Sequence, residues 1–327
     1  MVYKQPLVVA GAGPAMRSTV VVTGGAGFIG ANLVRRLIRE KSNVHIITRP
    51  GGSLRRLIDV QKHITVHPVG LSDQNRLRRL ILRIKPRYIF HTAAYGSYPT
   101  QEDTEIMLQT NVVGTMNLLE SVRDVPYTRL IVIGSSSEYG RKDTAMKETD
   151  TLSPNNLYAA TKAAETHLAQ AFAATYRKPV TVLRLFNVYG PYEEKGRLVR
   201  SVIESVFSKK PILLATGREA RDFIHMDDVT DAIIRAAGRT KGTGEVFNVG
   251  TGVETTIYEL ARLVIHITGV RVPIRRNVYP GRPWDTYHWR ADMKKTRAKL
   301  GWKPHISLTK GLAQTISWYK EHASEQI

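Results

Sequence analysis

Residues 23–30 read Thr23-Gly-Gly-Ala-Gly-Phe-Ile-Gly30, with three glycines spaced three residues apart. A β-branched apolar run, residues 19–23, precedes the glycines and predicts a strand, and residues 32–40 follow with the apolar period of a helix. Glycines between a strand and a helix permit a tight turn that brings the backbone close to a diphosphate at the helix N-terminus. The sequence therefore predicts a dinucleotide site that includes Gly24, Gly27, Phe28, Ile29 and Gly30.

Strand and helix patterns alternate along most of the chain. Predicted strands are residues 19–23, 44–48, 64–67, 88–92, 129–134, 180–185, 212–214 and 247–249. Predicted helices are residues 32–40, 75–84, 104–122, 157–176, 198–207 and 229–237, with two or three more after residue 257. This alternation predicts an α/β fold, a doubly wound parallel Rossmann sheet with a smaller C-terminal substrate-binding domain. We expect an N-terminal extension (1–18), a Rossmann domain (19–186 plus about 222–252) and a substrate-binding domain (187–221 plus 253–327).

Composition excludes several classes of protein. The chain has 327 residues, of which 42% are hydrophobic, and no cysteine. A core of useful size is therefore expected, whereas disulfides, thiolate metal sites and cysteine catalysis are excluded. There is no apolar run of about 18 residues, so no membrane span is predicted. We predict a cytoplasmic protein and no metal site.

The net charge of +20 points to an anionic partner or to a basic surface. The lysines and arginines are scattered over predicted helix faces, and no nucleic-acid-binding module is recognisable. We therefore interpret the charge as surface composition and predict no specific nucleic-acid partner.

The end of the second strand bears on the choice of cofactor. NAD-binding sheets usually carry an acidic residue there, which accepts a hydrogen bond from the ribose 2′-hydroxyl. This chain has Thr48 and Arg49 instead, and an arginine beside a hydroxyl suits a 2′-phosphate. The sequence thus favours NADP over NAD, with NAD as the alternative.

A serine, a tyrosine and a lysine make up the predicted catalytic group. Tyr158 and Lys162 are four residues apart and lie on one face of a predicted helix. A lysine ammonium favours the phenolate of a neighbouring tyrosine, which prepares it for proton exchange near neutral pH. The segment Gly134-Ser-Ser-Ser-Glu-Tyr-Gly140 follows a strand, so its hydroxyls lie at the same sheet edge.

With its other motifs, the chain resembles an extended short-chain dehydrogenase/reductase that modifies nucleotide sugars. The motifs span residues 19–319 and include Phe90-His-Thr-Ala-Ala94, Arg184-Leu-Phe-Asn-Val-Tyr-Gly-Pro191, Arg221-Asp-Phe-Ile-His225 and Leu300-Gly-Trp302. The resemblance implies that Ser135, Tyr158 and Lys162 are catalytic. It also implies cofactor contacts by Ala93, Ala94, Asn111, Val188, Tyr158 and Lys162. Contacts with the sugar, diphosphate or nucleotide are implied for Ser136, Asn187, Arg197, Arg221 and Arg282.

Family members act by hydride transfer, chiefly at sugar C4, and differ beside the catalytic serine or threonine. The 4,6-dehydratases carry an Asp–Glu pair there, whereas this chain has Ser136 and Ser137, with Glu138 beyond them. We predict an NDP-4-keto-6-deoxyhexose reductase. The alternatives are an NDP-sugar 4-epimerase with retained NAD, a 4,6-dehydratase and a non-catalytic NADP-binding regulator. The resemblance further implies a homodimer formed by helices 104–122 and 157–176.

Overall fold

The computed structural model describes residues 17–98, 100–239, 242–278, 280 and 286–322. The predicted extension therefore lies, up to residue 16, outside the described residues, and so does Arg282. None of the helices in these ranges combines the length and the apolar character needed to cross a membrane.

The strands carry the labels β1–β13 in chain order. They are Thr19–Thr23 (β1), Asn43–Thr48 (β2), Ile64–Pro68 (β3), Tyr88–His91 (β4), Arg129–Ser135 (β5), Val180–Leu185 (β6), Asn187–Tyr189 (β7), Ile212–Leu213 (β8), Ala220–Arg221 (β9), Phe223–His225 (β10), Glu245–Val249 (β11), Thr255–Thr256 (β12) and Ile274–Arg275 (β13).

The α-helices carry the labels α1–α10. They are Phe28–Arg39 (α1), Gln74–Ile84 (α2), Thr104–Leu108 (α3), Gly114–Val122 (α4), Leu157–Tyr176 (α5), Leu198–Phe207 (α6), Met226–Arg239 (α7), Ile257–Thr268 (α8), Lys294–Leu300 (α9) and Leu308–Glu321 (α10). Residues 55–63 and 136–139 form 3₁₀ helices.

The central sheet is parallel and has seven strands in the order β3-β2-β1-β4-β5-β6-β11. Alternate side chains of β1 enter different cores: Val20 and Val22 pack with α1 and α7, and Val21 packs with α2, α4 and α5. Helices on both faces bury the inner strands, as a parallel sheet requires, whereas the edge strand β3 is partly exposed. The predicted doubly wound α/β sheet is confirmed, and its strand order reverses between β1 and β4.

The predicted helix 104–122 is present but contains a turn of π-helix at residues 109–113, between α3 and α4. Periodicity does not predict such a turn, since it inserts one residue into the helical repeat. Helix α1 begins at Phe28, four residues earlier than expected. Gly27 caps it without any side-chain hydrogen bond.

The C-terminal half has a core of its own. Helices α6, α8 and α10 pack around Tyr189, Ile203, Leu260 and Leu312, apart from the two cores that flank the sheet. Among the described residues, three two-stranded sheets lie apart from the central sheet: β10-β7, β12-β9 and β13-β8. The domain boundaries stay a prediction.

Candidate active site

The glycine turn packs tightly against the end of β4. Gly24 has φ +67°, and a Cβ there would lie 2.5 Å from the backbone nitrogen of Ala93. A Cβ at Gly30 would overlap the carbonyl oxygen of Gly24. The first N–H groups of α1 meet no capping side chain, so they are available to an anion, which the helix dipole also attracts. This glycine cradle fits a dinucleotide diphosphate.

A cavity of about 1710 Å³ lies at the carboxyl ends of the strands, where the strand order reverses. A single drug-sized ligand needs about 300–1000 Å³, so this volume suits two ligands side by side. Most residues predicted for the site line it: Gly24, Gly27, Phe28, Ile29, Thr48, Arg49, Ala93, Ala94, Ser135, Ser136, Tyr158, Lys162, Asn187, Val188, Arg197 and Arg221.

Two predicted residues lie behind the cavity wall. Gly30 is buried in the first turn of α1, directly against the backbone of Gly24 and Gly25. Asn111 is fully buried. Its side-chain amide accepts a hydrogen bond from the Tyr95 N–H and donates one to the Tyr95 carbonyl, each at 2.8 Å. It also donates to Thr161 Oγ1 at 2.9 Å. The π-turn directs Asn111 to the loop after β4, which its side chain supports; its expected cofactor contact stays a prediction.

Strand β5 and helix α5 bring the three predicted catalytic residues together. Asn156 caps α5 by accepting a hydrogen bond from the Ala159 N–H at 2.9 Å, which sets the start of the helix just before Tyr158. Ser135 ends β5, its hydroxyl lies 2.7 Å from Ser137 Oγ, and it is near enough to Tyr158 to lower the pKa of that phenol. Lys162 Nζ donates to the Ile133 carbonyl at 2.6 Å and forms a close ion pair with Glu165.

The electrostatics of Tyr158 differ from the sequence-based expectation. Burial raises the pKa of Tyr158 above its ordinary value, and the Lys162 ammonium lowers that pKa only in part. Glu165 raises it again, because this carboxylate offsets the charge of Lys162. Lys162 itself would have its pKa lowered by burial, but Glu165 raises that pKa above its usual range.

Glu138 is held away from the cavity. One of its carboxylate oxygens accepts a hydrogen bond from the Ser135 N–H at 2.7 Å. The other accepts hydrogen bonds from Arg184 Nε at 2.7 Å and from Thr166 Oγ1 at 2.9 Å. Glu138 is fully buried, and these hydrogen bonds fix its side chain in place. It orients Ser135 and is not placed to remove water from a substrate.

Two arginines and an aromatic ring also line the cavity. Arg197 donates to the Ser97 carbonyl at 3.1 Å, and Arg221 donates to the Thr286 carbonyl at 3.1 Å. Trp289 lies 5.6 Å below the Arg221 guanidinium and donates through Nε1 to Ser136 Oγ at 3.0 Å. Sequence reasoning did not identify Trp289 as a site residue, because no motif marks the tail segment that carries it.

Glu165 is the other residue that the sequence analysis missed. Its spacing of three residues from Lys162 on a predicted helix was a usable signal, since such pairs face each other.

The doubly wound sheet, the glycine turn and the Ser–Tyr–Lys group define a nicotinamide-dinucleotide enzyme of the extended short-chain dehydrogenase/reductase class. Comparison with known proteins agrees. A family model described as NAD dependent epimerase/dehydratase family matches residues 20–250. The dTDP-glucose 4,6-dehydratase of Xanthomonas campestris pv. campestris (strain B100) is 31% identical, over 92% of this chain and 93% of its own.

The UDP-glucose 4-epimerase of Mycolicibacterium smegmatis is also 31% identical, over 92% of this chain and 98% of its own. Among solved structures, the UDP-glucuronic acid 4-epimerase from Bacillus cereus, in complex with UDP-glucuronic acid and NAD, has a TM-score of 0.84. It is 25% identical, over 93% of this chain and 99% of that one. The chain therefore belongs to the NAD dependent epimerase/dehydratase family and is a nicotinamide-dinucleotide-dependent enzyme that acts on a nucleotide sugar.

Proposed function

We propose that this protein is a nucleotide-sugar 4-epimerase that retains its NAD. The observation that carries the proposal is the cavity, which combines one acid–base set, Ser135–Tyr158–Lys162, with room for a second ligand beside the dinucleotide. A 4,6-dehydratase must also eliminate water. In this chain, serines occupy positions 136 and 137, and the Glu138 carboxylate is hydrogen-bonded to the Ser135 N–H and to Arg184. The relatives compared above are dehydratases and epimerases, which supports the epimerase better than the reductase predicted from sequence.

In this proposal Ser135, Tyr158 and Lys162 each have a separate role beside the cofactor. When bound, NAD supplies the oxidant that takes a hydride from C4 of the sugar and later returns it. Tyr158 accepts the proton of the C4 hydroxyl and gives it back, and the Ser135 hydroxyl holds the reacting oxygen. The Lys162 ammonium stabilises the phenolate form of Tyr158.

Inversion at C4 requires the hydride to return to the opposite face of the sugar ring. The diphosphate must stay bound while the sugar turns. We assign this anchoring to Arg197 and Arg221, which line the cavity and whose guanidinium groups can each bind two phosphate oxygens.

The test is incubation of the purified enzyme with UDP- and dTDP-hexoses. We expect interconversion of the C4 epimers without net change in nicotinamide absorbance, because each turnover regenerates NAD. A product that is a 4-keto-6-deoxy sugar would instead establish a dehydratase. Stoichiometric loss of NADPH with a 4-keto sugar would establish the reductase.

The reductase stays as a second candidate because of one feature. Strand β2 ends in Thr48 and Arg49, without a carboxylate, and both side chains line the cavity with Arg49 exposed. If they bind a 2′-phosphate, the enzyme uses dissociable NADPH. Comparing Michaelis constants for NADPH and NADH tests this, and a clear preference for NADH would remove the candidate.

We also propose a homodimer. The outer surfaces of α3, α4 and α5 expose large apolar side chains, and α5 adds exposed alanines between them. The large ones are Ile106, Leu108, Met116, Leu157 and Tyr176, exposed by 40–60%. An apolar surface of this kind on two adjacent helices fits a helix-bundle interface.

Replacing Met116 with glutamate should convert the dimer to a monomer, since it buries a charge in each copy of the interface. Sedimentation velocity at micromolar concentration measures the change. Ile58→Glu is the matched control, because Ile58 is 70% exposed on another surface. A wild-type protein that sediments as a monomer contradicts the proposal.

A further inference from the structure

Lys162 shares its buried site with an acidic partner. Glu165 is fully buried one turn along α5, and its Oε2 is in close contact with Lys162 Nζ. Within the part of the chain that the structure describes, its Oε1 has no hydrogen-bond partner and lies 3.8 Å from His91 Nε2. The proposed function gives Glu165 no role.

We propose that Glu165 is a positioning residue that neutralises Lys162 and thereby sets the proton affinity of Tyr158. The proposal rests on Tyr158 being the acid–base group of the proposed function. A lysine ammonium has three N–H donors. One points to the Ile133 carbonyl and one to Glu165, which leaves one for the cavity.

His91 does not compensate the charge of Glu165. Its Nδ1 is 2.6 Å from Thr23 Oγ1 and its Nε2 is 2.9 Å from Thr115 Oγ1. Burial, helped by the Lys162 charge, lowers the pKa of His91 to about 3, so the ring is neutral at physiological pH. The charge of Glu165 therefore acts on Lys162.

The other charged groups near Lys162, Glu165 and Tyr158 have oppositely charged neighbours of their own. Glu138 packs against α5 but is paired with Arg184. Arg197 acts on Tyr158 from across the cavity, and it is near Glu193. Of the groups facing Tyr158, Glu165 is the carboxylate whose charge raises the pKa of the phenol.

Glu165 can itself change charge in the working range. Burial raises its pKa to about 7, although Lys162 opposes that shift. Below that pH the carboxyl is neutral, and Lys162 can act fully on Tyr158. Above that pH the carboxylate cancels much of the ammonium field. Glutamine at this position keeps the shape and mimics the neutral form at every pH.

The test is a pH titration of the Tyr158 phenolate by ultraviolet difference absorbance, with Tyr158→Phe in each background subtracted. We expect Glu165→Gln to lower the apparent pKa of Tyr158 by about one pH unit, which is about tenfold more phenolate at a given pH. The acid limb of kcat/KM should move in the same direction. Glu165→Asp, which keeps the charge, should titrate like the wild type.

Glu148→Gln is the matched control, since Glu148 accepts a backbone hydrogen bond from Asn248 and does not line the cavity. An unchanged or upward-shifted titration in folded Glu165→Gln overturns the proposal. If the glutamine variant does not fold, Glu165→Ser, which leaves room for water beside Lys162, carries the same expectation. The absorbance titration needs no substrate, so a wrong proposed function would show in the sugar assay alone.

Discussion

Phenylalanine in place of Tyr158 is expected to lower kcat for C4 epimerisation by about 10²–10⁴-fold, because it removes the group that exchanges the hydroxyl proton. The ring keeps its packing, so the melting temperature and bound NAD should stay near wild-type values. Turnover of the UDP-hexose identified as substrate, followed by separation of the epimers, measures the effect.

Tyr176→Phe on the same helix is the control for this substitution. Tyr176 packs its ring on Phe172 at the far end of α5 and lies outside the cavity lining. Its variant should turn over at the wild-type rate. Equal turnover in Tyr158→Phe and the wild type would refute the assigned role of Tyr158 and, with it, the enzyme mechanism proposed above.

The second large effect is expected from Gly30→Ala. Alanine normally stabilises a helix by about 1 kcal/mol relative to glycine. Here the added Cβ would overlap the Gly24 carbonyl and lie 2.7 Å from the Gly25 Cα, both in the backbone of the turn. We expect a net loss of about 1–3 kcal/mol of unfolding free energy and loss of retained NAD, because the turn must shift to admit the methyl group.

Thermal unfolding and the ratio of bound NAD to protein after purification measure the two consequences. Gly70→Ala serves as the control for stability, since a Cβ there would be 3.5 Å from Ser72 Oγ, an ordinary contact. A stable Gly30→Ala protein with a full complement of NAD would show that the turn does not need glycine at that position.

Much of the site could be predicted because its parts are local. Gly24 and Gly27 stand between a strand and a helix, Ser135 ends a strand, and Tyr158 and Lys162 share a helix face. The carboxyl ends of parallel strands meet at one edge of the sheet, so these separate segments had to converge there. Asn111 was harder to place, because the π-turn that directs it cannot be seen in a periodic pattern.

The choice of reaction was predicted less well. The serine-rich segment after β5 favoured a reductase on resemblance alone, whereas the relatives are epimerases and dehydratases. Only the structure shows that Glu138 is bound to Arg184 and the Ser135 N–H, which weighs against a dehydratase. A hydrogen-bond partner 46 residues away in the chain cannot be found from the segment itself.

The sequence by itself determined the doubly wound sheet, the dinucleotide turn and the three groups that handle the proton. Each of these follows from residue type and short-range spacing. The tertiary structure decided the surroundings of those groups: the pairing of Lys162 with Glu165 near His91, and the approach of Trp289 to Ser136. These contacts depend on strand order and on packing between segments that are distant in the chain. Burial also makes the interactions between their charges much stronger than they would be in water.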